Sequence, residues 1–239
     1  MKASCLLTFT GILCLGSAAL AQENADALKQ RVRLQAQSMT PDDYAFTRTV
    51  RNDVTAGGNN EQTVNIERYD PTKPAEARWS LVSVNGAPPS ADALKRFRKE
   101  VRKRRLSGYP RLANYFDAPA TTSTEADGRT VFRFSSLPKG SIDMMDIDVS
   151  RNASAELVMS DGDGTPFAEQ VHLSVKPIRL LLVMKLNRYE ATSRFAVGPQ
   201  GKPLLVEQTA ELSGSALGFE GRMRSIATYS DYRAVGVER

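Results

Sequence analysis

Few residues of this chain have the types and spacing that chemistry needs. Asp143, Asp146 and Asp148 in "DMMDIDVS" form the densest acidic group. In a strand, Asp146 and Asp148 fall on one face and Asp143 on the other. Paired carboxylates can act as acid and base, but nothing nearby supplies a partner, so a solvated strand or loop is the reading. "DGDGTPFAEQVH" begins like a calcium loop with Asp161, Asp163 and Thr165. It then departs, with Pro166 at the sixth place and His172 at the twelfth, where the loop needs glycine and glutamate. A hairpin turn explains it better. His172 is the only histidine; its place in "EQVHLSV" makes it one side of a strand. There is no G-x-S-x-G turn, no Gly-rich phosphate loop before a helix and no zinc-ligand set. These absences predict a non-catalytic protein with no metal and no cofactor.

The densest charge is basic. Lys95 to Arg105, "KRFRKEVRKRR", holds eight lysines and arginines and one glutamate. Ser90 precedes it as an N-cap, and Asp92 suits the first turn of a helix. Leu94, Phe97 and Val101 share one narrow stripe, so a helix over 91–106 is predicted, lying on them. Glu100 stands four residues from both Arg96 and Arg104 and can pair with either. Lys95, Arg98, Lys99, Arg102, Lys103 and Arg105 are the expected contact surface for something anionic, either a membrane surface or an acidic envelope protein. Nucleic acid is not expected, because only Phe97 interleaves the cations and stacking aromatics are missing. The chain's net charge is +5. This run supplies more than all of it, so the rest is slightly acidic.

The elements around these residues begin with "MKASCLLTFTGILCLGSAALAQ". It has Lys2, an apolar run, then Ala19-Leu20-Ala21, the order of a secretory signal peptide cleaved after Ala21. A periplasmic protein is predicted, with residues 22–239 as a single domain. Both cysteines, Cys5 and Cys14, lie in this leader, so the fold must hold without disulfides.

Asn24 to Met39 reads as a helix with Asn24 as N-cap and Ala25, Leu28, Val32 and Ala36 on one face. The period then changes to two. "YAFTRTVRND" and "QTVNIERY" flank the turn "AGGNN" as a hairpin. "RWSLVSV" is a third strand, ended by Asn85-Gly86. From Thr121 onward the chain reads as an antiparallel meander, with turns at Asp127-Gly128, Asp161-Gly162 and Gly201. "PIRLLLVMKLNRYEATSRFAVG" reads as one long strand bent near Asn187. The fold class is α+β: a strongly curved antiparallel sheet, an open half-barrel, covered by the N-terminal helix and the basic helix. Such a sheet can leave an apolar hollow. Its candidate lining is Tyr44, Phe46, Val50, Val64, Ile66, Trp79, Leu81, Phe132 and Phe134. The expected ligand is a lipid, acyl chain or other hydrophobic small molecule.

The order of elements, with "RYDPTKPAEARWSLVSVNGAPPSADALKRF" in the middle and "TYSDYRAV" at the end, resembles the LolA-like periplasmic proteins. The resemblance spans most of residues 22–239 and is nearest to the uncharacterised relatives of the lipoprotein carriers. It implies an open half-barrel whose concave apolar surface holds acyl chains.

Overall fold

A computed structural model describes residues 13–102, 104, 106–160 and 164–235. Residues 1–12 of the expected leader, Lys103, Arg105, Asp161 and Asp163 lie outside the described residues. In chain order the elements are α1 (Leu13–Gln37), β1 (Tyr44–Ala56), β2 (Asn59–Tyr69), β3 (Trp79–Val84), α2 (Ala91–Val101) and α3 (Leu112–Tyr115). There follow β4 (Thr121–Thr124), β5 (Thr130–Phe134), β6 (Asp143–Met144), β7 (Ile147–Asp148), β8 (Ala153–Met159) and β9 (Ala168–Val175). The last four are β10 (Ile178–Leu181), β11 (Met184–Val197), β12 (Pro203–Ala216) and β13 (Phe219–Ala234).

Eleven strands form one antiparallel sheet in the order β3-β2-β1-β13-β12-β11-β9-β8-β5-β4, with β10 paired to β11. β3 and β4 do not meet, so the sheet is an open half-barrel and not a closed barrel. Both edge strands are short, six and four residues, which limits the unpaired backbone offered to another sheet. The apolar/polar alternation of β8, buried at every second residue from Ala153 to Met159, shows how one face is turned inward.

The predicted bend near Asn187 is present as a register shift between Leu186 and Arg188. The run containing it is not one strand. β10 and β11 form a hairpin, with Leu181 opposite Met184 across the tip Leu182-Val183. The N-terminal helix is also longer than the sequence predicts. Asn24 lies inside α1, because the alanine-rich stretch before it continues the helix. The expected inward stripe holds: Ala25, Val32 and Ala36 are buried, and Leu28 packs against the same core.

That core sits at one side of the sheet. α1 and α3 lie over β5, β8 and β9, enclosing Phe116, Phe132, Phe134, Leu157 and Met159. Tyr109, in the 3₁₀ turn Tyr109–Arg111 before α3, ties these parts together. Its ring packs edge-on against Phe195, at 5.2 Å between centroids. Its hydroxyl donates to Gln35 Oε1 of α1 at 2.9 Å and accepts from the Ala168 N–H of β9 at 2.8 Å. Burial pushes this phenol well above its ordinary pKa, so it stays neutral and can do both. Replacing it as Tyr109→Phe strands a buried N–H and an amide oxygen, at a cost of roughly 1–3 kcal/mol. Urea unfolding of the two proteins should show that loss as a lower midpoint with an unchanged slope.

Candidate functional site: a hollow on the concave face

Strand pairing carries single rows of side chains across the inner face. One row runs Val54, Met223, Leu212, Tyr189. The next runs Asn52, Ser225, Ala210, Ala191, Leu173. A third holds Gln208, Ser193 and Val171. From Met223 and Ser225 to Leu173 and Val171 these residues line a hollow of about 800 Å³. Ala191, Ala210, Ser225, Gly214 and Gly221 leave it room because they are small. Gly214 answers a second demand, since a Cβ there would stand 2.4 Å from the Lys185 carbonyl oxygen. The cover is partial. Leu112 and Tyr115 of α3, with Ile142, Met144 and Met145 of the β6–β7 hairpin, close one side only.

Most of the wall is apolar, and its polar groups are few. Arg111 lines the hollow and donates from Nη2 to the Ser141 carbonyl at 3.1 Å. Tyr115 and Tyr189 line the same space. Burial pushes the Tyr115 phenol up to about 12, with the Arg111 charge pulling partly back. At the inner end Arg48 reaches the wall while its Nη1 donates to Glu67 Oε2 at 3.2 Å. A hollow with mostly apolar walls and a few fixed polar groups is the usual form of a small-molecule site. Among the described residues that line it, none is arranged as a nucleophile with a base.

Beside the hollow is a second, filled cluster. Glu67 is 2% exposed and also accepts from Arg104 Nη1 at 2.6 Å. The Arg104 guanidinium lies over Trp79 at 5.0 Å and Phe97 at 5.7 Å. These contacts hold the segment after α2 against the sheet. The helix itself is Ala91–Val101, shorter than the predicted 91–106. Its Ser90 cap is present, Ser90 Oγ accepting from the Ala93 N–H at 3.2 Å. Phe97 is its buried residue. Arg104 is past the helix end and turns inward to Glu67, not to Glu100 as the spacing suggested. Lys95, Arg98, Lys99 and Arg102 are exposed.

The nine predicted lining residues lie elsewhere than on the large hollow. Phe132 and Phe134 meet Phe116 edge-on at 6.0 and 5.7 Å within the helical side of the core. Phe46 packs on Trp79, Tyr69, Tyr229 and Tyr232. Tyr44 sends its hydroxyl to the Pro199 carbonyl at 3.1 Å. Val50 is buried opposite Ala227, and Leu81 is buried opposite Glu67. Val64 and Ile66 pair with Arg51 and Thr49, so they stand on the outer face. Tyr189, Leu212, Met223 and Leu173, which do line the hollow, were not singled out in the sequence. Their signal was the two-residue alternation along β9, β11, β12 and β13, with large and small residues sharing the inner face of the last three.

The acidic and histidine candidates also have structural places. His172 stands on the outer face, its Nδ1 3.2 Å from Thr192 Oγ1. Asp143 and Asp148 are opposite each other across the β6–β7 hairpin, and Asp146 is in its turn; all three are exposed, as a solvated strand or loop requires. Among the described residues no group of three or more His, Cys, Asp or Glu can hold a metal. None of the helices, among the described residues, is long and apolar enough to cross a membrane.

No protein-family model matches the sequence, and no curated protein matches it. Its structural neighbours include a LolA superfamily protein and a DUF1329 family protein. The LolA superfamily protein, from Nitrosomonas europaea, is 16% identical, with 89% of this chain and 94% of that one covered and a TM-score of 0.32. The DUF1329 family protein, from Desulfovibrio piger, is 13% identical, with 90% and 94% covered and a TM-score of 0.36. A structure described as lipid–protein interactions in lipovitellin is 6% identical over 84% of this chain, with a TM-score of 0.35. This chain spans about a quarter of that one, 26%. All three likenesses are remote, with TM-scores below 0.4.

The β6–β7 hairpin over the hollow depends on one carboxylate. Asp148 accepts from the Ser150 hydroxyl and from the backbone N–H groups of Ser150 and Gly140. The Ser150 hydroxyl bond, then the backbone bonds, hold its pKa below the ordinary carboxylate value. The stabilisation is therefore present above the unfolded pKa and lost as pH falls through the lower folded one. A carboxyl-carbon NMR titration should give Asp148 a midpoint below that of a free aspartate, and Ser150→Ala should move it upward.

Proposed function

We propose that this protein is an exported, non-catalytic carrier or receptor that binds a lipid, acyl chain or other hydrophobic molecule in the hollow. Residues 1–21 are its cleaved leader and 22–239 its single periplasmic domain. The observation that carries this reading is the unfilled concave face. Its volume, about 800 Å³, falls in the roughly 300–1,000 Å³ range of small-molecule sites. A sealed void of that size, at ~24 cal/mol per Å³, costs on the order of 20 kcal/mol, more than the roughly 5–15 kcal/mol stability of a whole domain. The space is thus open, and a ligand that covers its apolar walls gains what the core forgoes there.

Mass spectrometry of an organic extract of the native protein should find bound lipid, and a fluorescent fatty acid should bind and be displaced by unlabelled fatty acid. Ala210→Phe places a ring on the wall of the hollow, two strands away from β9. It should weaken probe binding at least tenfold while leaving the thermal midpoint within a few degrees. Absence of both lipid and probe binding in the parent protein would sink the reading.

A second reading is favoured by the exposed cations of α2. That face serves as contact for an acidic envelope protein or another anionic surface, with Arg104 and Phe97 fixing its position. Converting Arg98, Lys99, Arg102 and Lys103 together to glutamate should abolish that contact without unfolding the domain. A variant that retains its pull-down partners argues against it.

A further inference from the structure

Large apolar side chains crowd one end of the sheet. At the β10–β11 tip Leu182 is 90% exposed and Val183 54%; at the β12–β13 tip Leu217 is 73% exposed and Phe219 71%. The two tips are joined, the Leu217 N–H donating to the Val183 carbonyl at 2.9 Å. Phe219 also lines the hollow, so the apolar tips and the apolar cavity wall are continuous.

Hairpin tips normally carry Gly, Asn or Asp, which suit left-handed backbone and face water. Here Leu217 holds φ +53° before Gly218 at φ +85°. Met145, 59% exposed at the tip of the β6–β7 hairpin, holds φ +52°. A bulky residue in that conformation is uncommon, and an asparagine would fit either place with less strain. Local stability therefore does not explain these residues. Something outside the fold must take up their side chains.

The charges on these strand ends indicate what. Arg179 and Lys185 are cross-strand partners just behind the first tip, and Arg222 lies three residues behind Phe219; all three are exposed. Glu220 is the one carboxylate on the same strand ends among the described residues. An apolar edge with a cationic collar matches a bilayer whose headgroups are anionic, where apolar burial and electrostatic attraction add. The basic helix does not belong to this edge. Its anchor is Arg104, which donates to Glu67, and Glu67 also accepts from Arg48 near the opposite end of β1.

We propose that the joined tips of β10–β11 and β12–β13 form a membrane-contact edge that docks on an anionic phospholipid surface. It places the mouth of the hollow against the bilayer, so that an apolar ligand passes between them without crossing water. Docking does not require the hollow to be loaded, so the edge and the proposed ligand site can be tested apart.

The test is co-sedimentation of the protein with vesicles of phosphatidylglycerol and phosphatidylcholine, at low and high salt, alongside the double variant Leu182→Ser/Leu217→Asn. Neither position lines the hollow, and Asn at 217 suits the turn. The proposal expects binding to phosphatidylglycerol vesicles that weakens with salt, and a drop of at least tenfold in the variant. The variant should keep its thermal midpoint and its affinity for a fluorescent fatty acid. A Phe219→Trp reporter should shift its emission to the blue and be quenched by brominated lipid. Equal binding by parent and variant overturns the proposal, as does equal binding to both lipids. Self-association of the parent that the variant loses, without vesicle binding, also overturns it and assigns the edge to a second copy of this chain. Loss of fatty-acid binding with vesicle binding intact would count against the ligand site alone.

Discussion

The two hydrogen bonds of Tyr109 set how far the helices reach. One hydroxyl joins α1 to β9, and the edge-on contact with Phe195 fixes the ring between them. The 3₁₀ turn that carries Tyr109 leads directly into α3, so α3 is held over β5, β8 and β9. A helix of four residues cannot also cover β11, β12, β13 and β1. The sheet is wider than its helical cover, and the hollow is the part left over.

The uncovered part does not collapse, because its walls are not free to move inward. β1, β12 and β13 are held on both sides by ladders of ten or more residue pairs, and β11 by thirteen pairs to β12 and six to β9. Side chains alone can fill the space, and the residues facing it are alanine, serine and glycine where the space is deepest. On the helical side the same inner rows carry Phe132, Phe134 and Leu157, buried almost completely. One sheet thus holds two regimes, a packed side that supplies stability and an open side that supplies volume.

Much of this was legible. The antiparallel half-barrel, the Asn85-Gly86 turn, the Ser90 cap, the inward stripe of α1 and the bend at Asn187 follow from local rules, and the structure has them all. The position of the hollow was not legible from the same rules. Alternation tells which residues of a strand share a face, but not whether a helix lies over that face. Phe132 and Phe134 share the inner face and are covered; Leu212 and Met223 share it and are not. Val64 and Ile66 show a different failure. The two-residue tip Gly57-Gly58, with φ +55° and +81°, sets Ala56 opposite Asn59 and hence Arg51 opposite Val64. That register was available from the turn and puts Thr63, Asn65 and Glu67 inside, against the intuition that the apolar pair must face inward. Arg104 escaped because its partner, Glu67, is 37 residues away, beyond any helical spacing.

The bond between Leu217 and Val183 has a mechanical consequence. It makes the ends of β10, β11, β12 and β13 a single stiff jaw, since spreading the tips would break it. The opposite jaw is the β6–β7 hairpin, two residues to a strand, attached to the core through Asp148, Ser150 and Ile142. If the mouth of the hollow widens, the small jaw must be the one that swings.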